Sequence, residues 1–334
     1  MSSLGVVIPT KNSLAYLPPH LEGMAEWLDL AAEVVVVDSF SSDGTLDYLR
    51  NHLRHPEARF LTHPPGLYAS WNHGIAQISA KYVYISTIGD IITRAGLQRL
   101  VDSAEALGAD VVLSKPRFRA SRGEQLPDVD WPIDEIIREL YITRPRRLHK
   151  LEAVLFAMTN LTAALTGSCA SDLFRTEVLQ RYPFPSDFGT IGDAAWGIRR
   201  AADLTWGVVP ERSSSFLKHP SNASEDEKTS YRRASRLDQV AREAVAAARQ
   251  TGKLAAEELD QLKLDDLLQA GSAYLDSKSR FDQLRKSKLP WILQPRAWRV
   301  RLVRNQAATQ LQALKTQALR AIVAGSAGAS QPIL

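Results

Sequence analysis

Hydrophobic and polar positions alternate between two periods through the first hundred residues of the chain. Short runs rich in β-branched residues stand at Leu4–Pro9 (LGVVIP), Glu33–Asp38 (EVVVVD), Ala58–Thr62, Tyr82–Thr87 (YVYIST) and Asp110–Ser114. Between them, Leu14–Leu30, a segment opening at Asp43-Gly44-Thr45, Tyr68–Ser79 and Thr93–Leu107 carry helical spacing, the last closed by Gly108. A continuous apolar run reads as a strand buried on both faces. Such runs separated by helices imply right-handed crossovers in a parallel sheet. Asp43 is placed to cap its helix. Ligands of parallel sheets lie beyond the carboxyl ends of the strands, so the polar residues after the first, second and fourth strands become the candidates.

The pattern then loosens. Residues 115–165 are less regular, with Arg144, Arg146, Arg147 and Lys150 ahead of an apolar stretch at Leu151–Leu165. Asp172–Gln180 reads as a helix, Tyr182–Pro185 as a turn, and a further helix opens near Asp193. Beyond Ser213 the composition changes. Residues 224–276 are polar, alanine-rich and helical, broken once at Thr251-Gly252, which predicts a helical hairpin. Pro290 and Pro295 bracket a turn. A last helix, about Ala297 to Val323, sets Val300, Val303, Ala307, Leu311, Leu314, Ala318 and Ile322 on one face.

Composition adds the class. With 334 residues, 45% hydrophobic and 23% charged, the chain reads as an ordinary globular protein able to bury a sizeable core. Its one cysteine, Cys169, excludes an internal disulfide and argues for a reducing compartment. No run of eighteen apolar residues exists, and the N-terminus passes straight into a strand without a signal segment. A cytoplasmic protein is the expectation. The net charge of +4 conceals an asymmetry, because Gln283–Leu334 holds nine basic residues and no acid, leaving the rest mildly acidic. A basic tail suits an anionic partner, a membrane surface or nucleic acid. It suits a solvated helical extension without a partner equally well.

Three strand ends bring polar clusters to one edge: Thr10, Lys11 and Asn12; Asp38, Ser39 and Ser42; and Asp90. A nucleoside diphosphate needs such an edge, with hydroxyls and N–H groups for base and ribose and a cation held by an acid for the phosphates. Each residue alone fits a helix cap or turn as well. No phosphate-binding glycine motif of the Walker or Rossmann kind is present, which disfavours P-loop and dinucleotide chemistry.

The ordered blocks GVVIPTKN, VVVVDSFSSDGT, PGLYASWNHGIA and YVYISTIGD resemble the family 2 glycosyltransferases of the GT-A fold, and a weaker resemblance continues through Thr166–Arg200. The resemblance implies an α/β fold, a mostly parallel central sheet flanked by helices, with an α-helical C-terminal extension. It divides the chain into a GT-A domain over 1–223, with a nucleotide-binding half to about 115 and an acceptor half over 116–223, and an extension over 224–334. Pro9, Thr10 and Asn12 would line the base and ribose pocket, Asp38 would bond the base edge, uracil in most relatives, with Ser39 beside it, and Tyr68 and Asn72 would sit close to the nucleotide. Trp71 and Ile75 are read as helix packing. Asp90 matches the last acid of the family's metal motif and would hold Mn²⁺ or Mg²⁺, joined by His219. This chain departs from the usual pair of acids with Thr87-Ile88-Gly89-Asp90. Asp193 takes the position of the catalytic base, with Asp187 as its rival, while Trp196 would stack on a sugar and Arg199 would meet the acceptor. His20, His52, His55, His63, His73 and His149 show no metal-ligand spacing, and Cys169 reads as a small buried residue.

The function implied is transfer of a sugar from a nucleoside diphosphate donor, with UDP the expected nucleotide, to a hydroxyl on a glycan or lipid-linked glycan, with inversion. The basic terminal helix, with Trp291 and Trp298, fits an anionic membrane surface at the inner face of the cell membrane. Its apolar stripe could pair with a second copy. Aromatic residues in the tail are too few for base stacking, which argues against nucleic acid. A second reading is an inactive GT-A module that acts as a scaffold through its helical tail. A nucleotidyltransferase ranks lower, since Thr10–Ser13 contains no glycine.

Overall fold

The computed structural model describes residues 4–120, 124–127, 131–161, 165–166, 169–218, 227–285 and 295–327. Its chain forms two compact units. The first comprises Met1–Leu148, Thr166–Trp196 and Leu204–Ala223; the second comprises His149–Leu165, Gly197–Asp203 and Ser224–Leu334.

In the first unit β1 (Leu4–Thr10), β2 (Ala31–Asp38), β3 (Ala58–Thr62) and β4 (Tyr82–Ile85) pair in parallel in the order β3-β2-β1-β4. The apolar runs of β1, β2 and β4 are buried on both faces, as continuous hydrophobicity requires, whereas β3, at the sheet edge, is only partly covered. Connections are α1 (Leu17–Ala25), α2 (Thr45–His52) and α3 (Leu67–Ile75). The helix expected over Leu14–Leu30 is shorter, because Pro18 and Pro19 occupy the first turn of α1 and the chain leaves helix after Ala25. Asp43 does take the N-terminal N–H of α2, accepting from Thr45 N at 3.0 Å, and its other oxygen accepts from Leu14 N at 3.1 Å, tying the first two loops together. Gly74 lets α3 lie close on the sheet: a Cβ there would meet Val7 Cγ1 at 2.7 Å and Val37 Cγ2 at 2.9 Å.

After β5 (Ile91–Ile92), α4 (Arg94–Leu107) is capped by the Thr93 hydroxyl, which accepts from Gly96 N, and closed by Gly108 at φ 58°. The strands β6 (Val111–Ser114) and β7 (Arg117–Ala120), the helix α5 (Pro132–Glu139) and β8 (Arg146–Arg147) follow. The first residues of the segment expected as one helix over Asp172–Gln180 instead form β9 (Asp172–Arg175), and helix α7 (Thr176–Arg181) begins only then. β9 is inserted antiparallel between β4 and β6, and ladder bonds from both sides override the helical periodicity of the sequence. Residues Gly192–Arg200 form α8, Trp206–Val209 β10 and Ser214–Lys218 β11. Among the described residues the main sheet has the order β3-β2-β1-β4-β9-β6-β10-β8, and a small sheet the order β5-β11-β7.

The second unit is helical. Its α6 (Lys150–Thr159) is buried on all sides, consistent with its uniformly apolar sequence. Around it stand α9 (Glu227–Gln250), α10 (Ala256–Leu262), α11 (Leu264–Arg285) and α12 (Pro295–Ala327). The expected break follows α9, at Thr251 and at Gly252 with φ 67°. The Lys150 ammonium bonds Glu258 at 2.8 Å and the Lys253 carbonyl at 2.9 Å. On α12 the expected stripe is buried at Ala307, Ala318 and Ile322 but exposed at Val303, while Ala297, in the first turn, is fully buried. Pro295 begins α12; Pro290 and Trp291 lie outside the described residues. No helix among the described residues is long and apolar enough to cross a membrane.

Candidate active site

The parallel register places Thr10 opposite Asp38 at the carboxyl ends of β1 and β2. Both are buried, at 5% and 2% exposure, and both keep a polar atom, Thr10 Oγ1 and Asp38 Oδ1, with no hydrogen-bond partner in the protein. A buried polar atom left unpaired costs about 1–3 kcal/mol, and native proteins rarely carry one without a purpose. The loops around them are closely tied. Asp38 Oδ2 accepts from Ser41 N at 2.9 Å, Ser41 Oγ accepts from Asn12 N at 2.9 Å, and Asn12 Oδ1 accepts from Ser42 N at 2.9 Å. Asn12 and Phe40 hold left-handed backbone, φ 47° and 55°. Ser39 Oγ meets Ser70 Oγ at 2.9 Å, which joins this loop to α3, and half-buried Pro9 lies opposite Val37. Pro9, Thr10, Asn12, Asp38 and Ser39 are thus brought together at one edge.

Tyr68 and Asn72, on the first turns of α3, point elsewhere. The Asn72 amide is taken up by the backbone of Phe184, donating to its carbonyl at 2.8 Å and accepting from its N–H at 3.0 Å. That clip holds the chain ahead of α8 and replaces the nucleotide contact expected of Asn72. Tyr68 is buried, and its phenol donates to the Thr190 carbonyl at 3.3 Å beside the Asp193 carboxylate. Burial pushes that phenol well above its ordinary value, with the Asp193 charge adding to it. The contact is tight because residue 192 is glycine: a Cβ there would stand 2.5 Å from the Tyr68 ring and 2.7 Å from the Pro185 carbonyl.

Asp193 occupies the first turn of α8, where one oxygen accepts from Ala194 N at 2.7 Å. Burial raises its carboxyl to about 6, against the opposing pull of Tyr68 and the Ala194 amide. A carboxylate near 6 takes up a proton far more readily than an exposed aspartate. Trp196, one turn on, does not offer the sugar-stacking face expected of it. It is 2% exposed, its indole N–H donates to the Tyr182 carbonyl at 2.6 Å, and Phe174, Phe184 and Trp206 surround its ring. Arg199 belongs to the second unit, where it lines a pocket with Met158, Ala248 and Lys253. Asp187 stays at the start of the irregular 186–191 turn.

Asp90 ends the Thr87–Asp90 turn, with Gly89 at φ 100°, a conformation that favours glycine. Ile88 packs onto the core beneath it. The Asp90 carboxylate is 8% exposed, and each oxygen already has a donor: the Thr87 hydroxyl at 2.5 Å and the Leu217 N–H of β11 at 2.8 Å. Burial raises this carboxyl to about 6, while Thr87, Leu217 and the nearby Arg119 charge pull it down. Sequence reasoning missed the residues that build this turn. His20, on α1, sits 3.0 Å from the Asp90 carbonyl and 3.2 Å from Ser86 Oγ, and burial holds its imidazole at about 4 and therefore neutral. Arg119, on β7, donates to the Gly89 carbonyl. Its signal lay in the alternation of Arg117-Phe118-Arg119, polar residues on one face of a strand. Cys169 is buried as expected; its thiol is pushed well up by burial, then by Asp172, Asp193 and Asp90.

A divalent cation asks for about six oxygen ligands. The side chains do not fit one: no three His, Cys, Asp or Glu among the described residues group as ligands, and the one carboxylate of the turn is engaged on both oxygens beside a guanidinium. His219, expected to join Asp90, lies outside the described residues.

The fold is similar to that of S. aureus TarS residues 1–349 solved with UDP, at 16% identity and TM-score 0.51 over 95% of this chain and 91% of that one. The same protein solved with UDP-GlcNAc aligns at 15% identity and TM-score 0.52, covering 96% and 92%. The mannosyltransferase PcManGT from Pyrobaculum calidifontis, in complex with GDP-Man and Mn²⁺, aligns at 18% identity and TM-score 0.55, covering 96% and 86%. No curated protein matches the chain by sequence. The family profile described as glycosyl transferase family 2 matches residues 5–166, the stretch that carries β1–β4 and the Thr87–Asp90 turn. The mostly parallel sheet is of GT-A type, and the stretch 5–166 is similar to glycosyl transferase family 2.

Proposed function

We propose that this protein transfers a sugar from a nucleoside diphosphate donor to a hydroxyl group of a glycan, with inversion at the anomeric carbon. The observation that carries the donor half is the pair of unpartnered buried atoms, Thr10 Oγ1 and Asp38 Oδ1, at paired positions of adjacent strands. A carboxylate oxygen there accepts from an N–H in the edge of the base, and uracil offers one. The neighbours solved with UDP and UDP-GlcNAc support uridine as the nucleoside, though another neighbour binds GDP-Man.

Asp193 is the base. Ionised above pH 6, it takes the proton of the acceptor hydroxyl while that oxygen bonds to the anomeric carbon, and the nucleoside diphosphate departs from the opposite face. Tyr68, beside Asp193, opposes the rise in its basicity that burial causes. Asn72 holds the Phe184 backbone ahead of the same helix. Titration calorimetry with UDP and GDP tests the donor site. Wild type binding UDP in the micromolar range, with Asp38→Ala folded but at least tenfold weaker, supports the reading. Equal affinity in the two proteins refutes it.

A further inference from the structure

We infer that Arg119, rather than a protein-bound divalent cation, meets the negative charge of the donor's diphosphate in this chain. The inference rests on the reading of the β1–β2–β4 edge as a nucleotide-sugar site.

The turn after β4 is where a cation would be held. It supplies Asp90 alone, and that carboxylate already accepts from Thr87 Oγ1 and Leu217 N. Gly89 and Thr87 stand where carboxylates would be needed to enlarge the ligand set, and Ile88 is turned to the core. What stands beside the turn is cationic. Arg119 is half-buried and donates to the Gly89 carbonyl, the peptide just before Asp90, and its Nε–H is buried with no acceptor in the protein. Arg117, two residues earlier on β7, projects from the same face and is exposed.

The pairing of β7 with β11 fixes this guanidinium. Arg119 lies opposite Leu217, the residue whose N–H holds Asp90. Carboxylate, turn and guanidinium therefore form one rigid assembly across both sheets of the first unit. A planar guanidinium presents several donors and stays charged at every working pH, which suits it to phosphate oxygens. Loss of a leaving diphosphate develops charge on its bridging oxygen, and a fixed cation at the site stabilises that charge as a metal ion would.

The experiment is calorimetric titration of UDP, and NMR titration of uridine, into the full chain in EDTA and in Mn²⁺. Wild type is compared with Arg119→Gln and Arg119→Lys. The expected result is UDP affinity equal within twofold in EDTA and Mn²⁺. In both conditions Arg119→Gln loses at least tenfold for UDP with uridine unchanged, and Arg119→Lys restores part of the loss. Uridine carries no phosphate, so its unchanged binding separates a charge role from a structural one. UDP binding that is abolished by EDTA and restored by Mn²⁺ overturns the inference while leaving the nucleotide reading intact. EDTA-resistant binding that ignores Arg119→Gln also overturns it. Failure of wild type to bind either UDP or uridine removes the nucleotide reading itself, and this inference with it.

Discussion

Tyr68 and Asp193, far apart in sequence, stand beside each other where the first turn of α3 meets the first turn of α8. Burial raises the Asp193 carboxyl, Tyr68 and the Ala194 amide pull it down, and the balance settles at about 6. Replacing Asp193 by Asn removes the proposed base and keeps the fold, so turnover should fall by about 10²–10⁴ while UDP affinity stays within twofold. Steady-state rates beside calorimetry check both halves; an active Asp193→Asn protein would return Asp187 to consideration.

The raised Asp193 carboxyl sets a pH dependence. The base works ionised, so kcat/KM rises with pH and levels off above about 6. Tyr68→Phe deletes the donor that favours the charged form, so the acid limb moves to higher pH. Stability follows the opposite direction. Asp193 ionises near 3.8 when exposed and near 6 when folded, so the native state holds an extra proton between those values. This group's contribution is best below pH 4 and declines as pH rises to 6. Asp193→Asn therefore stabilises the protein at pH 8, by on the order of 2 kcal/mol, and leaves it unchanged at pH 4. Denaturant titrations at the two pH values measure the difference.

Gly192 makes this contact possible. Its replacement by Ala drives a methyl group against the Tyr68 ring and the Pro185 carbonyl. The expected cost is about 1–3 kcal/mol of stability, with a loss of turnover out of proportion to any loss of UDP binding. Thermal unfolding and single-turnover rates separate the two effects.

Much of this site was legible in the sequence, and the limits of legibility are physical. β1, β2 and β4 follow from continuous β-branched runs, and the Thr10–Asp38 edge follows from where such runs end. The clip between Asn72 and Phe184 was not visible, because an amide's partner in a distant loop leaves no local signature. Trp196 was expected to stack on a sugar, and the cage of Phe174, Phe184 and Trp206 that buries it instead has no local signature in the sequence. β9 was misread because DLFRTEVLQ has helical periodicity throughout, and strand pairing with β4 and β6 overrides it. Arg119 and His20 act through the backbone of the Gly89–Asp90 turn, contacts that no motif spacing records.

Phe40 carries a strain that can be measured. It is 60% exposed with φ 55°, two residues after Asp38, at a position where glycine would be unstrained. Left-handed backbone costs a side-chain-bearing residue about 1–2 kcal/mol, and such strain persists where function uses it. Phe40→Gly should therefore unfold at higher temperature than wild type while binding UDP several-fold more weakly. A variant that gains stability and keeps full affinity would leave the ring without a role at the pocket rim.

The last prediction concerns α12. Its first turns expose Trp298 at 52%, Leu302 at 59% and Val303 at 54%. Trp298 and Leu302 are four apart on one face. Arg296 and Arg299 are exposed beside them, the Arg301 guanidinium lies over the Trp298 ring, and no acid occurs from Gln283 to the end of the chain. An exposed apolar patch edged by arginines is suited to an anionic bilayer, where the ring would enter the acyl chains and the guanidinium groups would meet the headgroups. The protein should sediment with phosphatidylglycerol-containing vesicles and stay in solution with phosphatidylcholine alone. Trp298→Ser with Leu302→Ser should abolish binding at any salt concentration. Arg296→Gln with Arg299→Gln should weaken it and flatten its salt dependence, since each arginine near the surface contributes about 1 kcal/mol. Wild type that remains in solution with both vesicle types would make the patch a solvated or self-associating face, which sedimentation velocity distinguishes by mass.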